Sequence, residues 1–143
     1  MNIFLDANIL VSVLNKEYPT FTNSARILSL AGKQKFGLFT SPICLAIAYY
    51  FAEKKHKSKI ARSKIKILSN HISIAPNSNE AVVKCLQNAS IHDFEDGLEY
   101  YAALESKCDC IITENKSDFY FSEIEVLNCE EFCEKYLLIN FRS

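Results

Sequence analysis

The sequence predicts an α/β fold of three layers, a mainly parallel central sheet with helices on both faces. Three observations lead there. Short apolar runs alternate with stretches of helical periodicity, as a chain of β–α units requires. The runs are short and each is separated from the next by helices, which points to a parallel sheet covered on both faces. The chain has 143 residues, which suits one domain, expected over 1–143, with about two-thirds of its unfolded surface buried.

Asn2 to Leu5 is the first strand and runs directly into Asp6. A helix follows with Ile9, Leu10, Val13 and Leu14 on one stripe. Thr20 to Ala31 repeats the helical spacing until Gly32 stops it, and Gly37 to Thr40 is the second strand. Ser41-Pro42 supplies an N-cap and a first-turn proline for a helix reaching Ala52, apolar all round and so expected to be buried. Ser58 to Ser69 reads as a more exposed, basic helix. Ile72 to Ala75 is a third strand, after which Ser78 caps a helix carrying Val82, Val83 and Leu86. Asp93 caps the next helix, whose inward stripe is expected to be Phe94, Leu98, Tyr101 and Ala102. Cys110 to Thr113 and Val126-Leu127 are the last strands, and Asn128 with Glu131 caps a final helix.

Composition narrows the class further. With 49% hydrophobic and 23% charged residues, three Gly and three Pro, the chain is neither disordered nor collagenous. The longest uncharged apolar run, 42–52, is too short to span a membrane, and the N-terminal stretch lacks a basic leader, so a cytoplasmic protein is expected. The six Cys are then reduced thiols; none forms a Cys-x-x-Cys pair, and a four-thiolate zinc site from Cys108, Cys110, Cys129 and Cys133 is the weaker alternative to buried structural residues. The net charge of −1 conceals a division: residues 1–79 hold 11 Lys/Arg against 3 Asp/Glu, and residues 80–143 hold 5 against 14. Such a division suits a polyanion handled at a carboxylate-bound metal, and equally suits solvated helix faces.

Asp6 ends the first strand, Asp96 lies in the first turn of a helix, and Asp118 follows the fourth strand. Sites in parallel α/β sheets gather at the carboxyl ends of strands, so these three carboxylates are expected to converge there. Two unit charges 4 Å apart repel by about 1 to 4 kcal/mol, and a cluster of three calls for a cation. Carboxylate oxygens suit Mg²⁺ or Mn²⁺, and water whose pKa a metal has lowered is a nucleophile for a phosphodiester. Each residue also fits a plain structural role, Asp6 and Asp118 as caps and Asp96 as one of several acids at a helix N-terminus. Against that, Asp96 stands beside Asp93 and Glu95, more acid than capping requires.

Three segments carry a resemblance: Ile3-Phe4-Leu5-Asp6-Ala7-Asn8-Ile9-Leu10, then Asp93-Phe94-Glu95-Asp96 leading into Tyr101-Ala102-Ala103-Leu104-Glu105, then Ile111-Ile112-Thr113-Glu114-Asn115 with Asp118-Phe119. In order and spacing the chain resembles, over nearly its whole length, the PIN-domain ribonucleases, including the VapC-like toxins of toxin–antitoxin pairs. The resemblance implies a three-layer α/β/α PIN-like fold and cleavage of single-stranded RNA that depends on Mg²⁺ or Mn²⁺. It matches Asp6, Asp96 and Asp118 to the metal-binding, catalytic acids, and Thr113 and Asn115 to the polar residues accompanying the last of them; Asn8 is a further auxiliary polar candidate. It also implies a homodimer and capture by a cognate antitoxin protein, whose Arg or Lys would neutralise the carboxylates.

One departure stands out. The family usually carries a Glu in the helix after the second strand, where this chain has no carboxylate and Ile47 stands near the expected position. Glu53, six residues on, lies some 9 Å further along a helix, which leaves Asp93 or Glu95 as the acids expected to compensate. A catalytically silent PIN-fold module that binds RNA or protein is the alternative. A phosphohydrolase with Asp6 as covalent nucleophile is a third reading, but Asn8 stands where that chemistry wants a second Asp.

Residues 54–66 carry seven basic side chains and no acid. Lys54, Lys55, Lys57, Lys59 and Arg62 are the expected contacts to RNA phosphates, a solvated helix face being the plain reading. Tyr49, Tyr50 and Phe51, inside the apolar helix, are expected in the core rather than as base-stacking platforms. The apolar tail Leu137-Leu138-Ile139-Asn140-Phe141 is expected to dock on a partner, a second copy or its own domain.

Overall fold

A computed structural model describes residues 1–137; the tail from Leu138 to Phe141 lies outside the described residues. Among the described residues five strands form one fully parallel sheet in the order β3-β2-β1-β4-β5: β1 Asn2–Leu5, β2 Gly37–Thr40, β3 Ser73–Ile74, β4 Cys110–Ile112 and β5 Glu125–Leu127. The central strand supplies Ile3, Phe4 and Leu5, all fully buried, in register with Leu38 and Phe39 on one side and with Cys110, Ile111 and Ile112 on the other. Helices α1 Ala7–Leu14 and α2 Thr20–Leu28 connect β1 to β2, α3 Pro42–Lys55 and α4 Ser58–Ser69 lead to β3, and α5 Asn79–Gln87 and α6 Phe94–Glu105 return the chain to β4. A 3₁₀ turn over Lys116–Phe119 precedes β5, and α7 Cys129–Phe132 follows it. The architecture is the expected three-layer α/β/α arrangement.

The strand order places a topological switch at the centre. From β1 the chain moves outward through β2 and β3, then returns to the other side of β1 with β4 and β5. Connections leave the carboxyl ends of β1 and β4 in opposite directions, and the crevice between them is where such sheets bind ligands.

Local chemistry accounts for the elements. Ser41 accepts from the Cys44 N–H at 3.3 Å and Ser78 from that of Ala81 at 3.0 Å, each capping a helix whose start is legible in the sequence. Asn128 and Glu131 form a reciprocal capping box, with bonds of 2.8 and 3.1 Å. The carboxyl-terminal carbonyls of α1 are satisfied from a distance: Lys64 donates to Leu14 O at 3.2 Å and Lys55 to Asn15 O. Two of the basic residues thereby tie α3 and α4 to the negative end of α1. Among the described residues the six Cys are free and buried, as expected of structural residues, and no metal-ligating group gathers Cys108, Cys110, Cys129 and Cys133, the weaker zinc alternative.

Expectations for three helices, α3, α6 and α2, are corrected. Helix α3 is buried only along Cys44, Ala48 and Ala52, spaced at i, i+4 and i+8, whereas Tyr50 is 54% and Phe51 43% exposed. An all-apolar helix need not be all buried when only one face meets the core, and Lys54 lies 4.3 Å from the Tyr50 ring centroid, covering it in part. Helix α5 buries Ala81 and Cys85 while Val83 and Leu86 face outward. Helix α6 turns further than expected: Phe94 is exposed, and Gly97, Leu98, Glu99, Ala102 and Ala103 face inward. Helix α2 ends at Leu28, with single turns continuing to Ala31.

Gly97 sets that rotation. A Cβ there would stand 2.4 Å from Cys85 Sγ and 2.7 Å from Ile91 Cγ2, so α6 approaches α5 and the loop after it as closely as only glycine permits. Gly97→Val is expected to lower stability by about 1–3 kcal/mol in denaturant unfolding, the usual cost of overpacking; unchanged stability would show that α6 is not seated by this contact.

Candidate active site

The crevice at the switch point holds a cavity of about 380 Å³. Its lining comes from several parts of the chain: Asp6, Ala7, Asn8 and Val11 at the end of β1 and on α1, Glu17 after α1, Ile47 and Phe51 on α3, Glu95 and Asp96 on α6, and Asn115 and Asp118 after β4. The structure thus brings Asp6, Asp96 and Asp118 to one pocket at the carboxyl edge of the sheet, with Asn8, Glu95 and Asn115 beside them.

Asp6 is the most constrained of these side chains. It is buried at 8% exposure and its backbone N–H bonds to Ile112 O, so the carboxylate emerges between β1 and β4. Oδ1 accepts from the Ala7 N–H at 2.6 Å, and Oδ2 from Thr113 Oγ1 at 2.7 Å and Asn8 Nδ2 at 3.2 Å. Thr113 is fully buried and its hydroxyl accepts from the Asn115 N–H at 3.0 Å; Asn8 Oδ1 accepts from the Glu114 N–H at 3.2 Å. This network locks the Asp6 rotamer and joins the ends of the two central strands. Asp93, exposed, accepts from the Asp96 N–H at 3.0 Å and so fixes the first turn of α6, from which the half-buried Asp96 faces the cavity.

The electrostatics are one-sided. Asp96 is pushed up to about 7, first by burial and then by the negative charges of Asp93, Asp118, Asp6 and Glu95. Glu95 is raised as well, by burial and then by Asp93 and Asp6. Among the described residues no Lys, Arg or His lines the cavity.

Glu99 was not anticipated in sequence, although its position three residues after Asp96 puts it on the same helix face. It is 1% exposed, accepts a 2.7 Å hydrogen bond from Cys44 Sγ, and is pushed up to about 11 by burial and then by Asp6, to which it is also hydrogen-bonded. Ligand atoms of Asp6, Cys44 and Glu99 lie within 4.8 Å of one another, as do those of Glu95, Asp96 and Glu99. Burial pushes the Cys44 thiol well up, with Glu99 and Asp6 adding to it, so it is a hydrogen-bond donor rather than a thiolate.

Basic residues Lys54, Lys57, Lys59 and Arg62 are exposed on the end of α3, the turn after it, and α4. Phe51, expected in the core, instead forms part of the cavity wall.

Comparison with known proteins agrees with this geometry. The profile of the PIN domain family matches residues 2–117. The chain is 33% identical over 138 residues to Ribonuclease VapC1 of Aquifex aeolicus (strain VF5), covering 94% of both chains. In fold it is similar to VapBC2 from Rickettsia felis, solved bound to a DNA fragment from their promoter, at a TM-score of 0.64 and 24% identity over 90% of this chain and 98% of that one. It is likewise similar to VapBC-1 from nontypeable Haemophilus influenzae, at a TM-score of 0.65 and 19% identity over 91% and 99%. The chain, a homologue of a VapC ribonuclease, therefore belongs to the PIN-domain family.

Proposed function

We propose that the protein is a divalent-metal-dependent endoribonuclease acting on single-stranded RNA, the toxin of a toxin–antitoxin pair, with a cognate antitoxin and a second copy of itself as partners. One observation carries the reading: Asp6, Glu17, Glu95, Asp96 and Asp118 share a cavity whose lining, among the described residues, includes no basic side chain. Five carboxylates gathered without a counter-charge call for a cation, and hard oxygen donors suit Mg²⁺ or Mn²⁺. Membership of the PIN-domain family and the identity with Ribonuclease VapC1 support the nuclease chemistry, and likeness in fold to VapBC proteins supports the assembly.

Asp6, Asp96 and Asp118 would hold the ion, with Asn115 at the rim. Bound there, the cation supplies charge neutralisation at the scissile phosphate and lowers the pKa of an attacking water. The chain's own contribution is positioning. Thr113, Asn8 and the Ala7 N–H keep the Asp6 oxygens in place, Asp93 keeps Asp96 turned inward, and Ile47 and Phe51 form an apolar wall opposite. Lys54, Lys57, Lys59 and Arg62 would track the RNA backbone without reading bases, whereas Lys55 is engaged by Asn15 O. The silent binding module is the second reading, favoured by the isoleucine on α3 where the family's carboxylate would stand.

The purified protein is expected to cleave single-stranded RNA with Mg²⁺ or Mn²⁺ and to stop on chelation. Asp6→Asn and Asp96→Asn should each lower the rate by about a hundredfold or more, because loss of outer partners alone typically costs 10–100-fold. In the same preparation Lys57→Glu, Lys59→Glu and Arg62→Glu together should weaken RNA binding. The salt dependence of binding should also flatten, by roughly one log–log unit for each phosphate that is no longer neutralised. Intact RNA under both metals would favour the silent module.

Stability offers an independent check. The raised Asp96 and Glu99 carboxyls retain protons in the folded, metal-free protein that the unfolded chain loses above about pH 4. Metal-free stability should therefore fall as pH rises from about 5 to 8, through the Asp96 value of about 7 and short of the Glu99 value of about 11. The ion-paired Glu125 and Glu131, held low by Lys135 and Lys116, act only below that window. Added Mn²⁺ should raise Tm more at pH 8 than at pH 5, since it competes with those protons. A metal-induced shift independent of pH would dissociate the ion from these carboxyls.

A further inference from the structure

The α3 helix faces the cavity with Ile47 and Phe51, and its first carboxylate, Glu53, is exposed and accepts from Ser58 Oγ at 3.0 Å outside the cavity lining. Nothing on α3 supplies an acid to the site. Immediately beneath the cavity, however, a carboxyl from another helix reaches the first turn of α3: Glu99 of α6 accepts from Cys44 Sγ, one turn before Ile47. Its oxygens lie within 4.8 Å of ligand oxygens on Asp6 and, in a second grouping, on Glu95 and Asp96. Glu99 thus sits between the two acids that β1 and α6 bring to the pocket.

Among the described residues no cationic side chain accompanies a carboxyl in that place. At 1% exposure Glu99 has left water, and among the described residues no N–H group and no Lys or Arg side chain is hydrogen-bonded to it. A thiol is a weak donor, and Asp6, the other neighbour, is itself an acid. Buried carboxylates are ordinarily paired with a cation or coordinate a metal. The neighbouring carboxylates of Asp6, Glu95 and Asp96 are oxygen donors of the kind a hard divalent cation uses.

We infer that Glu99 is the carboxylate that α3 lacks, a metal ligand delivered from α6 and closing the cation site between Asp6 and Asp96. The inference rests on the metal-dependent reading above and deepens it. The site is then built from β1, α6 and the segment after β4, with α3 providing only its apolar wall and the Cys44 thiol that orients Glu99. Of the two acids expected from sequence to compensate, Asp93 caps α6, whereas Glu95, exposed at the cavity lining, falls in one group with Asp96 and Glu99.

The test is the Mn²⁺ affinity of the intact protein, read by the electron paramagnetic resonance signal of free Mn²⁺ alongside thermal melts without metal. Glu99→Gln keeps the shape and removes the charge, so its metal-free Tm should be equal to or above that of wild type. Its Mn²⁺ affinity should fall about tenfold or more. Adding Ile47→Glu to Glu99→Gln, which returns an acid to the cavity wall from α3, should restore at least part of the lost affinity. A merely structural Glu99 would show the reverse, a lower metal-free Tm with Mn²⁺ affinity unchanged, and that result would overturn the inference. Affinity lost in Glu99→Gln but not recovered by Ile47→Glu would also count against it, since replacement of a missing acid would not then be the explanation. If Glu99→Gln does not fold, Glu99→Asp, one methylene shorter, is held to the same standard. A wild-type protein that binds no Mn²⁺ would remove the metal reading and this inference together, whereas Mn²⁺ binding that ignores Glu99 would remove only the inference.

Discussion

Like charge confined at the carboxyl edge of the sheet is the constraint around which the molecule is arranged. Asp6, Glu95, Asp96, Glu99 and Asp118 are collected there from three separate parts of the chain. Without a counter-ion the protein's own remedy is protonation: Asp96 is pushed up to about 7 and Glu99 to about 11, chiefly by burial and then by their neighbours. A fold that tolerates this must hold the acids against their repulsion by covalent and packing constraints elsewhere.

Those constraints are visible. The topological switch puts the ends of β1 and β4 side by side, and the hydrogen bonds among Asp6, Asn8 and Thr113 bind those ends together. Gly97 lets α6 settle against Cys85 and Ile91, which turns Asp96 toward the cavity and Glu99 beneath it. Lys55 and Lys64 draw α3 and α4 onto the end of α1 and give part of the basic segment a structural task. The apolar core supplies the rigidity: Ile3, Phe4, Leu5, Ile111 and Ile112 are fully buried in the two strands that carry the site.

Much of this was legible in the sequence because its signals are local. Continuous apolar runs marked β1 and β4, and Ser41, Ser78, Asp93 and Asn128 marked helix starts through the chemistry of capping. Asp6 was conspicuous because it directly follows a buried strand, whereas Thr113 was singled out only through the family resemblance. Helix rotation was less legible, since it is decided by tertiary contact. Phe94 looked like a core residue and is exposed, because Gly97 allows α6 to roll toward α5. The same rotation buries Glu99, a residue whose type alone argues for the surface. The i, i+3 spacing from Asp96 was the available signal. Phe51 and Tyr50 misled in the opposite sense: an apolar helix presents only the Cys44, Ala48 and Ala52 face to the core, and what remains is free to wall a cavity.

That a divalent cation belongs among these carboxylates is the central claim, and it is tested most directly by locating the ion. Crystals grown with Mn²⁺ and measured at the manganese absorption edge are expected to show an anomalous peak within bonding distance of Asp6 and Asp96, with Asp118 or Glu99 completing the ligand set. No peak in this cavity at saturating Mn²⁺, or peaks only on outlying acids such as Glu130 and Glu134, would contradict it.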